Sequence, residues 1–166
     1  TIRLLGNHPS IAAWVIFNEG WGQFQTEDMT RIVRRLDPNR LIDQASGWFD
    51  QGGGDFSSLH NYFFKLFIRP ERERASVLSE FGGYSYREPG HCAKEKLYGY
   101  GICKNKKDLE KRFLERWSGV RNLIPQGLSA SIYTQWTDVE EEVNGVFTYD
   151  REVRKICLLY TSPSPR

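Results

Sequence analysis

Little in the sequence biases it toward one sign of charge: 23 basic residues stand against 21 acidic ones, a formal charge of +2. Interleaved and nearly balanced, these charges remove the main electrostatic argument for a nucleic-acid or membrane-surface partner. Long apolar runs are missing too, and none approaches the roughly 20 residues needed to cross a bilayer. Cysteine is scarce. Cys92, Cys103 and Cys157 make an odd number without short metal-ligand spacing, which argues against a disulfide framework or a zinc knuckle. Reduced thiols, with a cytoplasmic setting as the default, follow from that scarcity. No sequence repeats at a short period. What is present, 39% hydrophobic, 14% aromatic and 27% charged residues over 166 positions, is the material of one ordinary globular domain.

Both ends read as cuts. The chain opens on Thr1, and Thr1-Ile2-Arg3-Leu4-Leu5-Gly6 looks like the last turn of a helix stopped by glycine. A missing signal peptide therefore carries no information about compartment. At the other end Leu158–Arg166 has neither helical nor strand period and closes on alternating Ser and Pro. It reads as a flexible tail of the kind translated from adapter or vector sequence, and the expected domain is residues 1–157 with 158–166 set apart.

Five short apolar segments, each ending in polar or glycine-rich residues, predict buried strands: Ile11–Phe17, Leu41–Ala45, Phe56–Leu59, Ala75–Ser79 and Ala130–Trp136. The first is an unbroken apolar run, which suits a parallel strand covered on both faces. Helical spacing runs from about Lys107 to Leu123, with Leu109, Phe113, Leu114, Trp117 and Val120 on one stripe. A second helix is expected from Thr26, as N-cap, to Leu36, stopped by Asp37-Pro38-Asn39. Gln51-Gly52-Gly53-Gly54 leaves no room for a helix between the second and third strands. Strand alternating with helix predicts an α/β fold with a parallel sheet.

In a (β/α)8 barrel the chemistry sits at the C-terminal ends of the strands, where all five polar clusters fall. Two of them hold a glutamate directly after the apolar run, Glu19 and Glu80. A carboxylate at the rim of a hydrophobic strand is costly without partners or a task. One alone is more often a solvated or salt-bridged loop residue; two in the same setting, with imidazole, amide, phenol and indole groups on the other strands, argue for a site. Paired carboxylates are what glycoside hydrolysis uses, one to protonate the leaving oxygen and one to attack or steady the anomeric carbon. Trp21, Trp48, Tyr62, Tyr84 and Trp136 lie beside the expected strand ends, where indole and phenol rings suit the apolar faces of sugars. Trp14 and Trp117 fall on apolar stripes and read as core.

The ordered elements Asn7-His8-Pro9-Ser10-Ile11, Trp14-Val15-Ile16-Phe17-Asn18-Glu19, Leu78-Ser79-Glu80-Phe81-Gly82-Gly83, Asp138-Val139-Glu140, Asn144-Gly145 and Tyr149-Asp150-Arg151 resemble glycoside hydrolase family 2. The resemblance runs from about Asn7 to Lys155. It implies a partial TIM barrel comprising strands four to eight, truncated at its N-terminus, since a whole barrel takes about 250 residues. It implies Glu19 as acid/base, Glu80 as nucleophile, Asn18 on the sugar 2-hydroxyl and Tyr62 steadying the nucleophile. His60 and Asn61 would line the pocket, and Trp21, Trp48 and Trp136 would contact the substrate. The implied activity is hydrolysis of terminal β-glycosidic bonds with retention, for which the carboxyl groups should stand about 5–5.5 Å apart.

Some relatives have a tryptophan where this chain has Thr134; Trp136, displaced by two, would keep the same strand face. Asn144 stands where glucuronidases carry a lysine, which speaks for a neutral sugar and a β-galactosidase-type activity. The partner expected is a carbohydrate, with no metal or cofactor and with a homo-oligomer open for the full-length enzyme. By position, Tyr84–Lys106 reads as an active-site loop. The alternative reading is a catalytically inactive fragment or carbohydrate-binding remnant.

Overall fold

In the computed structural model, residues 1–157 are described, and the expected tail Leu158–Arg166 lies outside them. The element order is α1 (Ile2–Leu5), β1 (Ala13–Asn18), α2 (Thr26–Leu36), β2 (Leu41–Ser46), β3 (Phe56–Asn61), β4 (Ala75–Gly82), α3 (Lys106–Leu123), a 3-10 turn (Ile124–Gln126) and β5 (Leu128–Thr134). This is an α/β chain. β1 and β2 pair in parallel, with Trp14 opposite Ile42 and Asn18 opposite Ser46, and a separate sheet has the order β3-β4-β5. Among the described residues no helix is long and apolar enough to cross a membrane.

The polar clusters lie nearer the strands than their apolar runs indicate. β3 extends through His60 to Asn61 and β4 through Glu80 to Gly82, because ladder hydrogen bonds continue past the last apolar side chain. Two local expectations are corrected. β1 is not covered on both faces: Phe17 is its buried residue, Val15 is exposed, and β2 is its only pairing partner among the described residues. The N-cap of α2 is Gln25, held at φ 41, one residue before Thr26, whose hydroxyl accordingly sits in the first turn. Gly6 does end α1, in a right-handed conformation at φ −62 that any residue could take.

The chain divides into two compact units. The first contains residues 1–60, 67–79 and 126–131. Its buried apolar side chains include Phe17, Ile42, Leu59, Val77, Leu78 and Leu128. β2 also buries Asp43, Gln44 and Ser46, so its polar groups must find partners inside. Gln44 does so by donating to Thr30 Oγ1 of α2 at 2.9 Å and accepting from Gly53 N at 3.0 Å. Trp14 is half-buried, and its indole donates to Asp37 Oδ2 at 2.9 Å while Arg40 binds the same oxygen at 2.6 Å. These contacts hold the Asp37 carboxyl below the usual range, the Trp14 bond foremost.

The second unit contains residues 61–66, 80–125 and 132 onward. α3 begins at Asn105, whose side chain accepts from Asp108 N at 2.9 Å, and buries Leu109, Phe113, Val120 and Leu123. Leu109 and Phe113 form a core with Cys103, Val146 and Ile156, against which Tyr84, Trp117 and Tyr133 pack. Trp117 thus belongs to the core, as its position on the stripe predicts. Lys155, also buried, donates to Asp138 Oδ1 at 2.6 Å and to the Val143 carbonyl at 2.9 Å. Burial lowers the Lys155 ammonium and raises the Asp138 carboxyl, each partly restored by the other.

Candidate functional site

In the first unit Glu19 follows β1 immediately. Its N–H donates to the Ser46 carbonyl at 2.8 Å, and its backbone sits at φ 53, in the left-handed region that a non-glycine residue rarely takes. Its carboxylate oxygen Oε1 lies 2.8 Å from His60 Nδ1. The imidazole is fully buried, and its other nitrogen, Nε2, lies 2.9 Å from Ser46 Oγ. Room for this ring comes from Gly47, at φ +94, where a Cβ would stand 2.7 Å from Nδ1. Behind the ring, Ser46 donates to Ser79 Oγ at 3.1 Å, Ser58 lies 2.5 Å from Ser79, and Ser79 donates to the Leu59 carbonyl at 3.3 Å. Asp43 borders this cluster. Burial raises its carboxyl, and hydrogen bonds from Ser58 and Ser46 pull it partly back.

In the second unit the Tyr62 hydroxyl donates to Glu80 Oε2 and lies 3.1 Å from Thr134 Oγ1. Desolvation, reinforced by the Glu80 carboxylate, drives the Tyr62 hydroxyl far above the ordinary phenol range, so it remains a proton donor. Tyr100 stacks on Tyr62 with centroids 4.1 Å apart and an interplanar angle of 8°. Gly83, at φ +67, permits both rings: a Cβ there would meet each at 2.9 Å. From α3, Arg116 donates to the carbonyls of Tyr62 at 2.8 Å and Phe64 at 2.6 Å, and to Tyr84 Oη at 2.9 Å. One guanidinium therefore fixes the turn that carries Tyr62.

The remaining candidates are less alike. Asn18 is exposed at the end of β1. Asn61 spends its amide locally, donating to the Lys65 carbonyl and accepting from Phe64 N, both at 3.1 Å. Trp48 is 48% exposed and donates its indole N–H to the His60 carbonyl at 3.3 Å, whereas Trp21 is 80% exposed. Trp136 is 62% exposed and lies beyond the end of β5, so it does not continue the strand face of Thr134 as its spacing predicts. It leans on Phe147 instead, with centroids 5.0 Å apart. Asn144 is buried, accepting from Gln135 Nε2 at 2.6 Å.

Sequence reasoning singled out Glu19, Glu80, His60 and Tyr62 and missed Ser46, Gly47, Ser58, Ser79, Tyr100 and Arg116. The available signal was a run of small polar residues inside strands that ought to be apolar, Ser57-Ser58 in β3 and Ser79 in β4. Chain spacing also hid a cluster in the second unit, where His91 Nδ1 lies 2.8 Å from Asp150 Oδ2 and 3.9 Å from Glu152 Oε2. These three could offer one ligand atom each to a cation, although the two carboxylates are exposed and already ion-paired with the imidazole.

The family model described as "Glycosyl hydrolases family 2, TIM barrel domain" matches residues 1–85. No curated protein matched the chain.

Proposed function

The chain belongs to family 2 of the glycosyl hydrolases, and from that premise we propose that it bears the two catalytic carboxylates of a retaining β-glycosidase, of β-galactosidase type and acting on terminal neutral sugars. In this reading β1 to β5 correspond to strands four to eight of a (β/α)8 barrel. The observation that carries it is the bond from the Tyr62 hydroxyl to Glu80. A donor that never ionises in the working range holds one oxygen of Glu80 in a fixed orientation, which an attacking carboxylate requires. Glu19 keeps different company, an imidazole at 2.8 Å that can pass it a proton or take one. Carboxyl groups in unlike surroundings are the arrangement that separates acid from nucleophile.

Glu80 attacks the anomeric carbon while Glu19 protonates the departing oxygen, leaving a glycosyl ester on Glu80. Glu19, now a carboxylate, takes a proton from water as that water attacks the ester carbon from the vacated face, and configuration is retained. Asn18 is the group assigned to the sugar 2-hydroxyl, with His60 and Asn61 lining the pocket and Trp21, Trp48 and Trp136 offered as sugar-contacting rings. A neutral sugar is favoured because Asn144, engaged with Gln135, supplies no fixed cation for a sugar carboxylate.

Turnover of an aryl β-galactoside tests the reading. Glu80→Gln should abolish it, and azide should restore Glu19→Ala with an activated leaving group while leaving Glu80→Gln inactive. Failure of azide to rescue either variant contradicts the assignment of roles.

A further inference from the structure

We infer that Ser46 is a positioning residue that fixes the proton of His60 on Nε2, so that Nδ1 and Glu19 Oε1 hold a single proton between them. Each serine hydroxyl has one proton to give. A carbonyl can only accept, so the one hydroxyl proton of Ser79 goes to Leu59 O. Ser79 Oγ is then the acceptor for both Ser58 and Ser46. With its own proton spent on Ser79, Ser46 meets His60 Nε2, 2.9 Å away, as an acceptor. Nε2 must therefore carry a hydrogen.

The consequence lies at the opposite nitrogen. A neutral imidazole protonated on Nε2 presents a lone pair at Nδ1, and a carboxylate oxygen 2.8 Å from that lone pair must bring a proton to make a bond. Either Glu19 is the acid and donates to Nδ1, or the same proton has crossed to make an imidazolium beside a carboxylate. In both states the pair carries one proton more than a neutral imidazole with a free carboxylate. Asp43, on β2, acts in the same direction. As a hydrogen-bond partner of Ser46 and Ser58 it offers their protons a second route away from the ring. Gly47, by omitting a Cβ 2.7 Å from Nδ1, leaves the imidazole in the plane these contacts require.

The significance for turnover rests on the reading of Glu19 as acid/base, under which the serine cluster keeps the acid loaded: the proton held at Glu19 goes to the leaving oxygen, and the one later taken from water replaces it. The tautomer itself does not rest on that reading. It is read directly by one-bond and long-range proton–nitrogen correlation on the 166-residue chain labelled in its histidines, His60 being assigned with His60→Gln. The neutral ring should be protonated on Nε2, and Ser46→Ala should lose that exclusive state and gain the Nδ1–H form, with Ser46→Thr restoring it. A wild-type ring protonated on Nδ1 with Nε2 bare overturns the inference even if Ser46→Ala does not fold, and so does an unchanged tautomer in a folded Ser46→Ala.

In turnover, Ser46→Ala should cost roughly 10-fold with a poor leaving group and little with an activated one, a part of what general acid catalysis supplies. An equal loss on both substrates overturns the positioning role. If Glu19→Ala is as active as the parent while His60 holds Nε2–H, the acid/base reading fails and the proton lock stands. If azide rescues Glu19→Ala while the parent's His60 holds Nδ1–H with Nε2 bare, the lock fails and the acid/base reading stands.

Discussion

Glu19 and Tyr62 show how single side chains are held at a cost that their neighbours offset. A non-glycine residue at φ 53 costs on the order of 1–3 kcal/mol and persists where the surroundings determine it, here through the Ser46 carbonyl and the His60 ring. Tyr62 is buried between Tyr100 and the Glu80 carboxylate. Removing its hydroxyl in Tyr62→Phe leaves Glu80 short of one charge-assisted bond, worth about 1.5–3 kcal/mol, and should lower turnover roughly 10- to 100-fold with the fold intact. Steady-state rates beside a far-ultraviolet dichroism spectrum check this.

Asp43 carries a pH-dependent prediction. Its carboxyl is raised above the ordinary 3.8 by burial, so the folded state binds its proton more tightly than the unfolded chain does. A raised group favours folding fully below the unfolded value, and that benefit is lost as pH climbs through the folded value. Asp43→Asn, which has no proton to lose, should therefore gain stability relative to the parent between about pH 4 and neutrality. Urea unfolding of both proteins at the two ends of that range reads the difference, and parallel stability curves contradict it.

At the scale of elements, the strands and α3 were legible because each carries its own signal. The stripe Leu109, Phe113 and Val120 is buried as its helical spacing requires. Phe113 lies inside the core, so Phe113→Ala should cost about 3–5 kcal/mol in denaturant unfolding. Arg116 lies on the same helix and was not legible, since a guanidinium on a helix reads as solvated until its acceptors, Tyr62 O and Phe64 O, are known. Arg116→Met should destabilise by about 2–3 kcal/mol and loosen Tyr62, lowering turnover of the folded protein as well. β2 and β3 were the faintest strands for a related reason. They bury Asp43, Gln44, Ser46, Ser57 and Ser58, and a strand whose buried face is polar lacks the alternation that marks strands. The serine cluster was invisible on the same grounds, because hydroxyl groups 12 to 33 residues apart, on strands of two different sheets, meet only once the chain is folded.

On the scale of the molecule, the segments 84–105 and 135–157 carry structure without period. They are knit by isolated bridges such as Tyr98 with Glu142 and Phe147 with Arg154, and by the buried Lys155–Asp138 pair. Removing one member of such a pair strands the other charge, so Lys155→Ala should cost about 3–5 kcal/mol, read as a fall in the urea midpoint. The central claim concerns the chain as a reagent, and a slow mechanism-based substrate tests it most directly. An enzyme treated with an activated 2-deoxy-2-fluoro β-galactoside should gain the mass of one glycosyl group, and peptide mapping should place that group on Glu80. A label on Glu19, or turnover with inverted configuration and no label, would contradict the account.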